Sequence, residues 1–187
     1  GLPRLAPSER NPLHTSTYGT GLIIKAAIKR GAQRIILGLG GSATNDGGVG
    51  ALQALGIPCL DKRGQAISQG GGALQQLASI GQIPAHLHEI EWLIACDVTN
   101  PLTGPEGATA VYGPQKGLQP EQFLILEKGL TQFADLIKKQ FGRAILTQPG
   151  AGAAGGMAGG FIGLLGAKTQ NGFDLLAEAT AFKQVFE

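Results

Sequence analysis

The stretch Arg34-Ile35-Ile36-Leu37-Gly38-Leu39-Gly40-Gly41-Ser42-Ala43-Thr44-Asn45-Asp46-Gly47-Gly48 decides how this chain is read. Its first four residues form a short β-branched run bounded by glycines, which predicts a buried strand. The strand empties into a loop dense in glycine and small polar residues. A helix is expected from about Gly48 to Leu55, stopped by Gly56. Strand, glycine loop and helix in that order are the local grammar of an α/β domain with a ligand at the loop, although α+β character stays open.

Working outward, a helix is predicted before the strand. Ser16 or Thr17 caps it, Leu22, Ile23, Ala26 and Ala27 run through it, and Gly31 ends it. After the second helix, Ile57 to Leu60 reads as a strand turning at Asp61-Lys62-Arg63-Gly64, a hairpin. A short helix over 72–78 leads through Pro84 to a strand from Ile90 to Ala95, which ends in Cys96-Asp97-Val98-Thr99-Asn100-Pro101. The longest helix runs from Pro120 to Phe141, with Phe123, Leu126, Leu130, Phe133, Ile137 and Phe141 on one stripe and Gly142 as its stop. A second glycine-rich loop, 149–156, precedes a small-residue helix to about Leu165. An amphipathic segment from Phe173 to Phe182 closes the chain.

Composition narrows the function classes. The 187 residues suffice for a single domain spanning 1–187 with a real core. A net charge of +2 supplies no field for nucleic acid or an anionic membrane, and no apolar run reaches the ~18 residues of a membrane span. With no basic-then-apolar leader, a cytosolic protein is expected. Cys59 and Cys96 make neither a disulfide framework nor a zinc site and read as small hydrophobes. The 31 glycines cluster between periodic segments, as where a backbone approaches a ligand. The chain opens at Gly1-Leu2-Pro3 without an initiator methionine, so upstream residues are expected to have been removed.

The loop Gly38 to Gly48 carries the most chemistry. Consecutive glycines let N–H groups converge on an anion; Ser42 and Thr44 add hydroxyls, Asn45 an amide and Asp46 a carboxylate. Alternatively the glycines only make a tight turn and Asp46 caps the helix. Gly38-x-Gly40-x-x-Ala43 also satisfies the dinucleotide fingerprint, with Asp61 as the ribose acid. However, Thr44 to Gly48 delays the helix that this motif requires. Asp97 and Asn100, at a strand end, suit Mg²⁺ or a hydroxyl, or else cap a turn. Lys116, on a glycine-flanked turn, suits phosphate or is a solvated lysine. His86 and His88 read as surface, Trp92 and the phenylalanines as core.

Five segments in order give the chain a resemblance to the type I glycerate kinase family: 16–21, 40–48, 95–102, 113–117 and 149–156. Thr103 and Leu39 depart from it, standing where members often have cysteine. The family is built of two α/β domains, and this chain matches the inserted one; N- and C-terminal family segments are missing. The resemblance implies phosphoryl transfer from ATP to a hydroxyl of D-glycerate with Mg²⁺ as helper, giving phosphoglycerate, usually the 2-isomer. It implies Asp46, Asn45 and Asp97 as catalytic residues, and Gly40, Gly41, Ser42, Thr44, Asn100 and Lys116 as substrate or phosphate contacts. Asp97 and Asp46 would hold the metal. The isolated chain is expected to be inactive, a homo-oligomer is compatible with the sequence, and the competing reading is a non-catalytic phosphate or carboxylate receptor.

Overall fold

A computed structural model describes residues 1–180. Its centre is a parallel sheet of three strands in the order β1 (Arg34–Gly38), β4 (Glu91–Ala95), β5 (Lys168–Gln170). A separate antiparallel pair joins β2 (Cys59–Leu60) to β3 (Ser79–Ile80). Among the described residues six α-helices accompany them: α1 (Tyr18–Lys29), α2 (Val49–Ala54), α3 (Ala108–Tyr112), α4 (Phe123–Phe141), α5 (Met157–Leu165) and α6 (Gly172–Ala179). The fold is mixed α/β. Among the described residues no helix is long and apolar enough to cross a membrane.

Helix α4 follows its apolar stripe. Leu126, Leu130, Phe133 and Ile137 are fully buried, Phe123 and Phe141 flank them half-buried, and Gly142 ends the helix at φ 71°. Against it packs α5, buried along almost its whole length. Its glycines permit this: a Cβ on Gly160 would meet the Gly47 carbonyl at 2.2 Å. Trp92 on β4 sits edge-to-face with Phe161 at 5.5 Å and donates its indole N–H to the Leu87 carbonyl.

Several expectations need correction. The strand β1 is not buried throughout: Ile35 and Leu37 point inward, whereas Ile36 is 41% exposed. In α1 the inward face is Gly21 and Ile24, because Gly21 lets α2 approach to backbone contact; Ile23 is 74% exposed. Residues 71–76 form a 3₁₀ helix instead of an α-helix over 72–78. Phe173 is largely exposed, unlike Phe133 and Phe161. The last residues of the expected Phe173–Phe182 segment lie outside the described residues. His86 and His88 are exposed as expected, and α3 and β5 were not anticipated.

Candidate active site

Because β1, β4 and β5 are parallel, their carboxyl ends lie on one side of the sheet. There the loop after β1 shares a cavity with Cys96 to Val98 after β4, and Asn171 after β5 donates to Asp97. Open α/β sheets collect ligands at that edge.

The loop Gly38 to Gly48 has two halves. Gly38, Gly40 and Gly41 are exposed and Ser42 and Thr44 half-exposed; from Asn45 onward the chain is buried. The exposed half forms a wall shared by two cavities. One, of about 370 Å³, is lined by Gly38 to Thr44 together with Arg4, Thr15, Ser16 and Thr20. The other, of about 280 Å³, lies between Gly40 to Ser42 and Asp97, Tyr112 and Gln115. Among the described residues, the N–H groups of Gly40, Gly41, Ser42, Ala43 and Thr44 donate to no protein acceptor. A row of uncommitted amides beside open space is an arrangement that suits an anion. Ala154 touches both cavities and holds φ at +53°, a conformation that costs a non-glycine residue energy.

Asp46 is placed differently from the expectation that it meets substrate or metal. Only 1% exposed, it lines neither cavity. Its Oδ2 accepts the N–H and hydroxyl of Thr17, each at 2.8 Å, and the Gly50 N–H at 3.3 Å, while Oδ1 accepts the Gly48 N–H at 3.2 Å. Four donors and no acceptor suit an ionised carboxylate. Burial pushes its pKa up, and the donors from Thr17, Gly48 and Gly50 pull against that shift. The geometry is the helix-capping alternative: Gly47 and Gly48, at φ 62° and 79°, fold the backbone back onto the carboxylate. A metal ion would have to displace these donors.

Asn45 is also buried. Its Nδ2 donates to the Thr109 hydroxyl at 3.1 Å, and its Oδ1 has no partner among the described residues. Asn100 bridges the Glu106 carbonyl at 2.8 Å and the Tyr112 hydroxyl at 2.7 Å. Lys116 is no solvated loop lysine: it is 1% exposed and its ammonium donates to the Thr44 carbonyl at 2.7 Å. Asp97 alone of the expected carboxylates faces a cavity. Its Oδ1 accepts Asn171 Nδ2 at 2.9 Å and the Gly172 N–H at 3.0 Å; Oδ2 accepts no hydrogen bond from a described residue.

The dinucleotide alternative lacks its geometry. Helix α2 begins only at Val49, well beyond the end of β1 at Gly38, and Asp61 follows β2, where it accepts the N–H groups of Arg63 and Gln65. Sequence reasoning missed Arg4, Thr15, Thr20 and Tyr112. Arg4 belongs to no motif, Thr20 lies within the 16–21 segment without being singled out there, and only the fold brings them to the loop.

The profile of the glycerate kinase family matches residues 1–187. The chain is 47% identical over 189 aligned positions to a glycerate kinase of Bacillus subtilis (strain 168), covering all of this chain and 50% of that protein. It is 42% identical to a glycerate 2-kinase of Escherichia coli (strain K12), over 96% of this chain and 48% of the other. A crystal structure described as a glycerate kinase 2 from Salmonella typhimurium LT2 superposes with a TM-score of 0.92 at 45% identity, over 96% of this chain and 48% of that one. The chain thus spans about half the length of the relatives it matches. With its family profile and its fold in agreement, this chain belongs to the glycerate kinase family.

Proposed function

We propose that this chain is the substrate-cradling part of a glycerate kinase that moves the γ-phosphoryl group of ATP to a hydroxyl of D-glycerate, giving 2-phosphoglycerate. The observation that carries this reading is the loop wall at the carboxyl edge of a parallel sheet: uncommitted amides of Gly40 to Thr44 along the larger cavity, with Gly40 to Ser42 shared with the smaller one. Both reactants are anionic, and a phosphoryl donor and its acceptor must be held in line on either side of one bond. Family membership and the relatives' names support the substrate.

In this reading the amides of Gly40, Gly41 and Ser42, with the hydroxyls of Ser42 and Thr44, receive phosphate or carboxylate oxygens. Arg4 adds the positive charge on the wall of the larger cavity. An oxygen of glycerate bonds to the γ-phosphorus as the bond to the β-phosphate oxygen breaks, ADP leaves, and the hydroxyl proton passes to solvent water. Asp97, held by Asn171 and Gly172 with Oδ2 free, orients that hydroxyl. The same oxygen is the donor that fits Mg²⁺, which neutralises phosphate charge when bound. Among the described residues no group of three His, Cys, Asp or Glu is gathered for a metal, so the ion would share one carboxylate with substrate phosphates. Asp46, Asn45 and Lys116 act through the shape of the loop, and Asn100 holds Tyr112 at the wall of the smaller cavity. A single domain over 1–187 within a two-domain protein and a cytoplasmic setting, where ATP is abundant, belong to the same proposal.

The test is ATP turnover by the full-length protein with D-glycerate, the product identified by phosphorus NMR. A 2-phosphoglycerate signal supports the reading, and no ADP release above the glycerate-free background overturns it. In Asp97→Asn the Oδ1 contacts survive, so the fold should persist while kcat falls ~100-fold.

A further inference from the structure

Lys116 is a buried cation that neither cavity uses. An ammonium has three N–H groups, and burying it is costly unless they are matched. Among the described residues its one hydrogen-bond acceptor is the Thr44 carbonyl, at 2.7 Å. Thr44 is the hinge between the exposed and buried halves of the loop, and its carbonyl is crowded from another side as well: a Cβ on Gly155 would lie 1.9 Å from it. On the next residue Asn45 is tied to Thr109, and beyond it Asp46 is tied to Thr17, Gly48 and Gly50. The buried half is thereby anchored on helices α1, α2 and α3, and Lys116 is the one charged donor applied at the point where the chain turns outward.

We propose that Lys116 is a positioning residue: by holding the Thr44 carbonyl from behind, its ammonium fixes the direction in which the amides of Gly40 to Thr44 face the two cavities. This rests on the reading that those amides receive the anionic reactants. A peptide plane is rigid, so fixing the carbonyl of Thr44 fixes the N–H of Asn45 and restrains the backbone before it. A charge-assisted bond does this roughly twice as strongly as a neutral one.

The ammonium should also be lost within reach of experiment. Burial pulls its pKa down to about 8, while the negative Asp46 works to raise it. The other charged neighbour is Arg10, whose guanidinium donates to the adjacent Gln115 carbonyl at 3.4 Å. In the unfolded chain the lysine titrates near ~10.4. Between about 8 and that value the unfolded state binds more protons, so Lys116 makes stability rise with pH. Its grip on Thr44 weakens over the same interval. Activity and stability therefore move in opposite directions, which a merely structural lysine would not produce.

The experiment compares the full-length protein with its Lys116→Met variant. Hydrogen exchange read by mass spectrometry should accelerate in the peptide covering 45–50, where the Gly47, Gly48 and Gly50 amides are hydrogen-bonded, and stay unchanged in α4, and kcat/KM should fall ~30-fold or more. Unchanged exchange at 45–50, or turnover within ~2-fold of the parent, overturns the proposal. Should the variant not fold, the unmodified protein decides. Its turnover must decline through pH about 8 while its thermal midpoint does not, and flat activity through this range refutes the role. If the unmodified protein phosphorylates no glycerate at all, the kinase reading fails, and the exchange comparison still judges the lysine.

Discussion

Thr17 grips Asp46 with two hydrogen bonds of 2.8 Å, one from its backbone N–H and one from its hydroxyl, while the same hydroxyl accepts the Ala51 N–H at 2.9 Å. One side chain thus joins the start of α1 to the start of α2 through the carboxylate that organises the glycine loop. Asp46→Asn replaces one acceptor oxygen by a donor NH₂ facing donors. The variant should lose about 3 kcal/mol of stability in urea unfolding of the full-length protein. Turnover would be lost with the loop's shape. Wild-type stability in the asparagine variant would return Asp46 to the role of a reacting group.

The hydroxyl itself can be isolated. Thr17→Val leaves the Ala51 N–H buried without an acceptor and removes one of four donors to Asp46. A loss of about 2 kcal/mol is expected, with Thr17→Ser recovering most of it. A larger loss in Ser than in Val would mean that the methyl packing of Thr17, 4% exposed, matters more than its hydrogen bonds.

These two residues mark where sequence reading stops. The strand, glycine loop and helix around Gly38, the stripe of α4 and the strand ending at Asp97 were all legible, because each carries its own periodicity or breaker residues. The setting of Asp46 was not, because Asp-Gly-Gly before a helix is compatible with both a ligand site and a self-satisfied cap. Its 1% exposure is a matter of burial, and a loop has no periodicity that encodes burial. Lys116 escaped for the opposite reason: flanking glycine and proline suggest a surface turn, whereas the turn folds inward beneath Thr44. The strand β5, Lys168-Thr169-Gln170, is exposed along its length and has no apolar alternation; it forms on the open edge of β4.

The two cysteines should differ sharply in reactivity. Cys59 is fully buried, and desolvation pushes its thiol up to about 12, so almost no thiolate exists at neutral pH. Cys96 is half-buried on the wall of the smaller cavity beside Asp97. Iodoacetamide applied to the native full-length protein should label Cys96 and spare Cys59, as read by peptide mass. Saturating ATP and D-glycerate should slow that labelling if the smaller cavity is occupied. Labelling of Cys59 at a comparable rate would contradict the packing around β2.

Two glycines of the loop region separate conformational need from ligand space. A Cβ at Gly40 would meet no atom within 4 Å, and its φ is not in the left-handed region. Gly40→Ala therefore strains nothing in the fold and reduces the freedom of the unfolded chain, which should raise stability by up to about 1 kcal/mol. The added methyl stands where an anion would approach the amides, so KM should rise ~10-fold or more in the full-length enzyme. Gly155 is the reverse case. Its φ is +67°, and a Cβ there would lie 1.9 Å from the Thr44 carbonyl, so Gly155→Ala must push the two glycine loops apart. That variant should lose at least about 3 kcal/mol and carry its activity loss with its instability. A Gly40→Ala enzyme that is both stable and fully active would mean the amides of Gly40 and Gly41 face no reactant.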